Sequence, residues 1–202
     1  MERLLITGIS GFLGWNLARS LSGQCSVYGT CLDNPVSLPG VEAFTFDLSD
    51  WSKIEKLCQA VKPAVIIHTA AFSNPDYCEL HHKEALTLNT FATRELAKAA
   101  NRLGSRLIYT STDFVFDGKR GEYSEADNPA PINYYGKTKF LGELEIMNHC
   151  SHYVTLRIGT LYGRGNGIRP NFFETMEEQL LAGKKPLCVA DQYRTFLFVE
   201  DA

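Results

Sequence analysis

The sequence predicts an open α/β fold, a doubly wound parallel sheet with helices on both faces. Three observations carry this. Apolar runs alternate with helix-period segments from one end of the chain to the other. Some of these runs, Val65-Ile66-Ile67 among them, are apolar at every position, as strands covered on both faces are. The first run passes directly into a glycine-rich turn and a helix, the start of a β-α-β crossover, which is right-handed in nearly all proteins. The composition agrees: 202 residues, 45% hydrophobic and 21% charged, suit one sizeable core.

Taken in order, strands are predicted at residues 3–7, 26–31, 42–46, 64–68, 106–110 and 153–158. Helices are predicted at 11–21, 51–61, 84–103, 134–148 and 170–182. Residues 195–199 read as one more strand, and no helix follows before Ala202. The expectation is therefore a piece of a longer chain: a nucleotide-binding domain over 1–202, with a second, substrate-binding part beginning near 160–202. Segments 72–82 and 114–131 are too long for simple turns. Both follow the carboxyl ends of strands, where an open sheet binds ligands.

Composition narrows the function classes. A net charge of −3 gives no reason to expect a nucleic-acid or anionic-membrane partner. No apolar run is long enough to span a bilayer, and the short run at Leu4-Leu5-Ile6 is no signal peptide. The six cysteines form no Cys-x-x-Cys pair and no metal-ligand spacing, so they read as reduced thiols of a cytoplasmic protein, with no metal expected.

Gly8, Gly11 and Gly14 are spaced Gly-x-x-Gly-x-x-Gly between a strand and a helix, the setting of a Rossmann-like dinucleotide loop. Glycine leaves no Cβ in the way, and the helix N-terminus offers N–H groups to a pyrophosphate. The other reading is a turn that only packs strand on helix. Asp33 ends the second strand about 20 residues on, as the fingerprint expects. A carboxylate there accepts hydrogen bonds from a ribose and repels a 2′-phosphate, which favours NAD(H) over NADP(H); Asp33-Asn34-Pro35 is equally a turn signal. Asp47 stands ready either for the adenine amino group or to cap the next helix.

Tyr135 and Lys139 lie four apart, so on a helix they share a face. A free tyrosine titrates near ~10. An adjacent ammonium favours phenolate, which would bring the phenol toward useful acid–base range. A bland alternative is an amphipathic helix with a snorkelling lysine. Tyr134, five residues from Lys139, points off that face. Ser111-Thr112-Asp113 closes the fifth strand, and a hydroxyl there can share the charge on a substrate oxygen. Spacing does not choose between Ser111 and Thr112.

Together these residues resemble the extended short-chain dehydrogenase/reductases, and within them the dTDP-4-dehydrorhamnose reductases. The resemblance runs through residues 7–14, His68-Thr69-Ala70-Ala71, Leu88-Asn89, Ser111-Thr112-Asp113-Phe114-Val115-Phe116-Asp117-Gly118, Asn133 to Lys139 with Gly142-Glu143, and Leu156-Arg157. It implies an NAD(P)H-dependent reduction of a nucleotide-linked 4-keto-6-deoxy sugar. Thr112, Tyr135 and Lys139 would be catalytic. The cofactor would lie along Gly8, Ser10, Gly11, Phe12, Leu13, Gly14, Asp33, Asp47, Leu48, Ala70, Ala71, Asn89 and Thr110, reaching Tyr135 and Lys139. The sugar would meet Asn74, Thr112, Asp113, Phe114 and Tyr135. Phe114 stands where that family often has tyrosine. Ile158-Gly159-Thr160 departs from its usual Thr-Ser-Trp, removing an aromatic wall.

Other readings stay open. An epimerase uses the same triad. A dehydratase would usually carry an acid pair in place of Asp113-Phe114. The sequence also resembles the regulatory β subunit of methionine adenosyltransferase, through Tyr-Gly-Lys-Thr-Lys and Leu-Arg-Ile. Residues 84–103 and 134–148 could pair two copies into a homodimer.

Overall fold

In the computed structural model, which describes residues 1–168 and 170–202, six strands form one parallel sheet. They are β1 (Arg3–Thr7), β2 (Ser26–Cys31), β3 (Val41–Thr45), β4 (Val65–His68), β5 (Arg106–Thr112) and β6 (Tyr153–Ile158). Across the sheet they run β3-β2-β1-β4-β5-β6. Strand order reverses between β1 and β4, which opens a crevice at their carboxyl ends.

Alternation along the strands builds two cores. Leu5, Ile66 and Leu107 face the layer made by α2 (Trp51–Val61), α5 (Thr93–Leu103) and α6 (Tyr134–His149), packing with Ile54, Leu96 and Ile146. Leu4, Ile6 and Ile67 face the opposite side, where α1 (Phe12–Leu21) places Ala18. Each fully buried Leu or Ile contributes roughly 1.5–3 kcal/mol. A one-residue slip in register would exchange the two sets. The cover on the α1 side does not reach β6, where Val154 and Leu156 stay 43% and 40% exposed. The expectation of strands covered on both faces therefore holds for the central strands and not for this edge.

Residues 72–82, expected as a loop, contain the short helix α3 (Pro75–Leu80). Its start was readable: Asn74 accepts the Tyr77 N–H at 2.9 Å and Pro75 occupies the first turn. The helix expected over 84–103 is broken into α4 (His82–Leu86), a π-helical turn at Thr87–Ala92, and α5. The wider turn sends Thr87 and Leu88 toward the crevice. Asn89 and Thr90 instead reach α6, bonding the Thr138 hydroxyl at 3.0 Å and its carbonyl at 2.9 Å. The strand expected at 195–199 is β8 (Phe196–Phe198). It pairs with β7 (Thr160–Tyr162), which the sequence did not announce, in a separate two-stranded sheet beside α7 (Phe172–Leu181).

A buried chain of hydrogen bonds ties β1, β4 and α5 together beneath the crevice. Thr93 donates its hydroxyl to the Asn89 carbonyl at 2.8 Å, so at 2.9 Å it accepts from His68 Nε2. His68 Nδ1 then accepts from the Thr7 hydroxyl at 2.7 Å, which fixes the tautomer. Burial, with Lys139 nearby, pushes His68 down to about 3. It is a neutral structural link at any ordinary pH.

Candidate active site

A cleft of about 810 Å³ runs along the carboxyl ends of the strands. Its floor is the glycine loop. Gly8 has a left-handed backbone (φ 76°), and a Cβ there would sit 2.9 Å from the backbone of Ala70. A Cβ on Gly14 would meet the Gly8 carbonyl oxygen at 2.3 Å. Gly11, the N-cap residue of α1, has no side chain to bond the helix's first N–H groups. They remain available for an anionic group. Gly8 and Gly14 are thus required by close backbone packing, and Gly11 leaves the helix start uncapped, which fits a dinucleotide pyrophosphate.

Ser10, Phe12, Leu13, Leu48, Ala70, Ala71 and Thr110 line the same cleft. Asp33 and Asp47 stand at its far end, with Leu32, Asn34 and Ser49. One Asp47 oxygen accepts the Ser49 N–H at 2.8 Å, a local turn, while Asp50 takes the N-cap position of α2. Among the described residues lining the cleft, the only cations are Lys83 and Lys139. The Asp33 end therefore presents two carboxylates and no lining cation. That set suits ribose hydroxyls and disfavours a further phosphate.

At the other end, β5 and α6 bring three groups together. Asn133 caps α6 by accepting the Gly136 N–H at 2.7 Å, and Glu79 accepts the Tyr134 N–H at 2.6 Å. Tyr135 and Lys139 then face the cleft from successive turns, both buried. Tyr134 turns away and stacks on His82 at 3.7 Å between centroids. The structure also separates the two candidate hydroxyls. Ser111 donates to Glu143 at 2.5 Å, whereas Thr112 lies near the Tyr135 phenol and favours its ionisation. Thr112 also donates to Asp113 at 3.1 Å.

The electrostatics differ from the sequence-based expectation. Burial pushes the Tyr135 phenol up to about 12; Thr112 opposes this and Asp113 and Cys78 add to it. Burial pushes Lys139 down to about 7, with Glu143 pulling the other way. Lys139 Nζ rests 4.1 Å from the centroid of the Tyr109 ring. The expected lowering of Tyr135 by an adjacent ammonium is therefore absent: burial dominates the phenol, and Lys139 is not among the groups that shift it.

Two expected contact residues do not line the cleft. The Asn89 amide is spent on the backbone of Phe72, at 2.9 and 3.0 Å, and on Thr138. Asn74 is committed to capping α3. Other residues were missed. Phe72 lines the cleft from the segment after β4, and Thr87 and Leu88 do so because of the π turn, which leaves no compositional mark. Phe172 of α7 supplies an aromatic on the wall where Thr160 does not. Arg194 lies 4.0 Å over the Phe114 ring and 3.6 Å from Asp113; contacts so distant in sequence carry no local signal.

Gly136 is the tightest point of the site. A Cβ there would lie 2.1 Å from the Phe114 carbonyl oxygen. Gly136→Ala is expected to push α6 off the end of β5 and cost roughly 1–3 kcal/mol, as overpacking does. Denaturant unfolding measures it; an unchanged midpoint would show that the helix can yield.

Comparison with known proteins agrees with this geometry. The family model described as RmlD substrate binding domain matches residues 1–201. Methionine adenosyltransferase 2 subunit beta from Danio rerio is 35% identical over 94% of this chain and 57% of its own length. A dTDP-4-dehydrorhamnose reductase structure from Bacillus anthracis, in complex with NADP, superposes with a TM-score of 0.72 and 32% identity, over 88% of this chain and 59% of that one. The Bordetella bronchiseptica enzyme WbmG, in complex with NAD and UDP, gives a TM-score of 0.83 at 26% identity, over 98% and 65%. The chain thus spans little more than half the length of the first two.

Proposed function

The chain belongs to the RmlD substrate binding domain family of the extended short-chain dehydrogenase/reductases, and on that premise we propose that its protein is an NAD(P)H-dependent reductase of a nucleotide-linked keto sugar. A 4-keto-6-deoxy sugar on dTDP is the substrate to try first. One observation carries the reading: Thr112, Tyr135 and Lys139 converge at one end of a cleft whose floor is a glycine cradle. A bound nicotinamide would supply the hydride. Tyr135 holds the proton that the new alkoxide needs. Thr112 orients that phenol and shares the charge on the sugar oxygen. Lys139 sits a turn behind, where its charge steadies the tyrosine's proton transfer. Phe114 and Phe172 offer apolar surface to the sugar, and Arg194 packs on Phe114 and Asp113.

The test mixes the complete protein with NADH or NADPH and dTDP-4-dehydro-L-rhamnose, following nicotinamide absorbance. Oxidation that depends on Tyr135 supports the reductase. Cofactor binding without oxidation, across this and other keto sugars, favours the second reading, a regulatory subunit. The likeness to methionine adenosyltransferase 2 subunit beta is the observation behind it.

The acidic adenosine end supports NAD(H) as the preferred cofactor. Asp33→Ala is expected to weaken NADH more than NADPH, by about tenfold for a loss of ~1.4 kcal/mol. Titration of both cofactors measures it, and equal weakening would remove the ribose contact from Asp33.

A further inference from the structure

One buried charged cluster lies directly behind the candidate site and takes no part in the chemistry above. Glu143 is one turn beyond Lys139 on α6 and only 4% exposed. Its Oε1 accepts from the Ser111 hydroxyl at 2.5 Å and from Arg157 Nε at 3.1 Å. Its Oε2 accepts from the Arg157 guanidinium at 2.7 Å. One carboxylate thus joins three elements. Ser111 precedes Thr112 on β5, Arg157 is the next-to-last residue of β6, and Glu143 shares its helix face with Tyr135 and Lys139 at successive intervals of four.

We infer that Glu143 is a positioning residue of this centre, locking α6 against β5 and β6 so that Tyr135 meets Thr112, and supplying the buried anion that keeps Lys139 charged. The inference rests on the reading of Tyr135 and Lys139 as the reactive pair. The geometry gives it direction. A buried carboxylate held only to fasten strands to a helix would be fully served by Arg157. Here it also stands one turn from a second buried cation, so the cluster holds two positive groups around one negative. The charged and titratable groups around Lys139 are few. Tyr135 and Glu143 come from its own helix, Tyr109 from β5, His68 from β4 and Arg157 from β6; the π turn contributes only neutral Asn89 and Thr90. His68 is neutral and both tyrosines hold their protons; among the described residues Glu143 is the anion that acts on Lys139, while Asp113, on the turn after β5, acts on Tyr135. Lys139 already titrates low through burial, at about 7, and Glu143 is what raises it.

The test reads Lys139 itself. The complete protein is prepared with lysine labelled at 13Cε, and the Lys139 resonance, identified by its loss in Lys139→Arg, is followed against pH. Glu143→Gln is expected to lower the titration midpoint by about one unit or more, a tenfold change in proton affinity. Arg157→Gln is expected to move it the other way, since it removes a cation and leaves Glu143 unneutralised. A cluster that fastens the helix without acting on Lys139 predicts no such reversal of sign. Midpoints that stay in place, or move together, overturn the inference. Should Glu143→Gln fail to fold, the upward shift in Arg157→Gln decides alone. Neither readout uses turnover or cofactor, so failure of the reductase reading leaves this test standing, and the reverse.

Discussion

Tyr135→Phe is expected to lower turnover at least ~10²-fold while the cofactor still binds, the usual worth of a positioned acid–base group. The substitution removes one oxygen and keeps the ring. The edge-on packing of that ring against Phe114, 5.8 Å between centroids, survives. What goes is the proton. In the free protein the phenol is held up near 12, first by burial. Across pH 6 to 9 it is therefore a loaded donor, which suits reduction of a ketone, where a proton must be delivered. The reverse oxidation needs phenolate, and would be the direction penalised by this environment. The check is steady-state kinetics beside cofactor titration. Near-normal turnover would take Tyr135 out of the mechanism, and loss of cofactor affinity would recast it as a binding group.

Much of this was legible because the informative residues are local in sequence. A glycine that no Cβ can replace, a strand ending in Asp33, and two side chains four apart on a helix each declare their geometry within a few residues. Right-handed crossovers gave the doubly wound sheet, though not its strand order. What stayed hidden depends on packing. The π turn at Thr87–Ala92 is set by how Asn89 and Thr90 grip Thr138, not by any breaker residue. Pairing of β7 with β8 joins residues some 35 apart. Ser111 and Thr112 were indistinguishable until Glu143 claimed the first. The sign of the tyrosine shift was misjudged for a similar reason: helix spacing shows that Tyr135 and Lys139 are neighbours but not how deeply both are buried.

Lys139→Met is expected to abolish most activity and yet stabilise the fold near neutral pH. Lys139 is only 2% exposed, and burial lowers it from 10.5 to about 7. The sign follows from linkage. Between the folded and unfolded values the unfolded chain binds the extra proton, so stability rises with pH through that window. Below about 7 the lysine is charged in both states, and the folded protein carries the full cost of burying it. At ~1.4 kcal/mol per unit that cost is on the order of several kcal/mol. Methionine fills similar space without charge. A gain of ~2 kcal/mol at pH 6 would raise the melting temperature by roughly 4–8 °C, and the gain should fade toward pH 10. Melting curves of both proteins across that range measure it. A difference that does not change with pH would mean that Lys139 is not buried as a cation. With the predicted slope present and activity lost, the lysine would be a group retained for its chemistry against the interest of the fold.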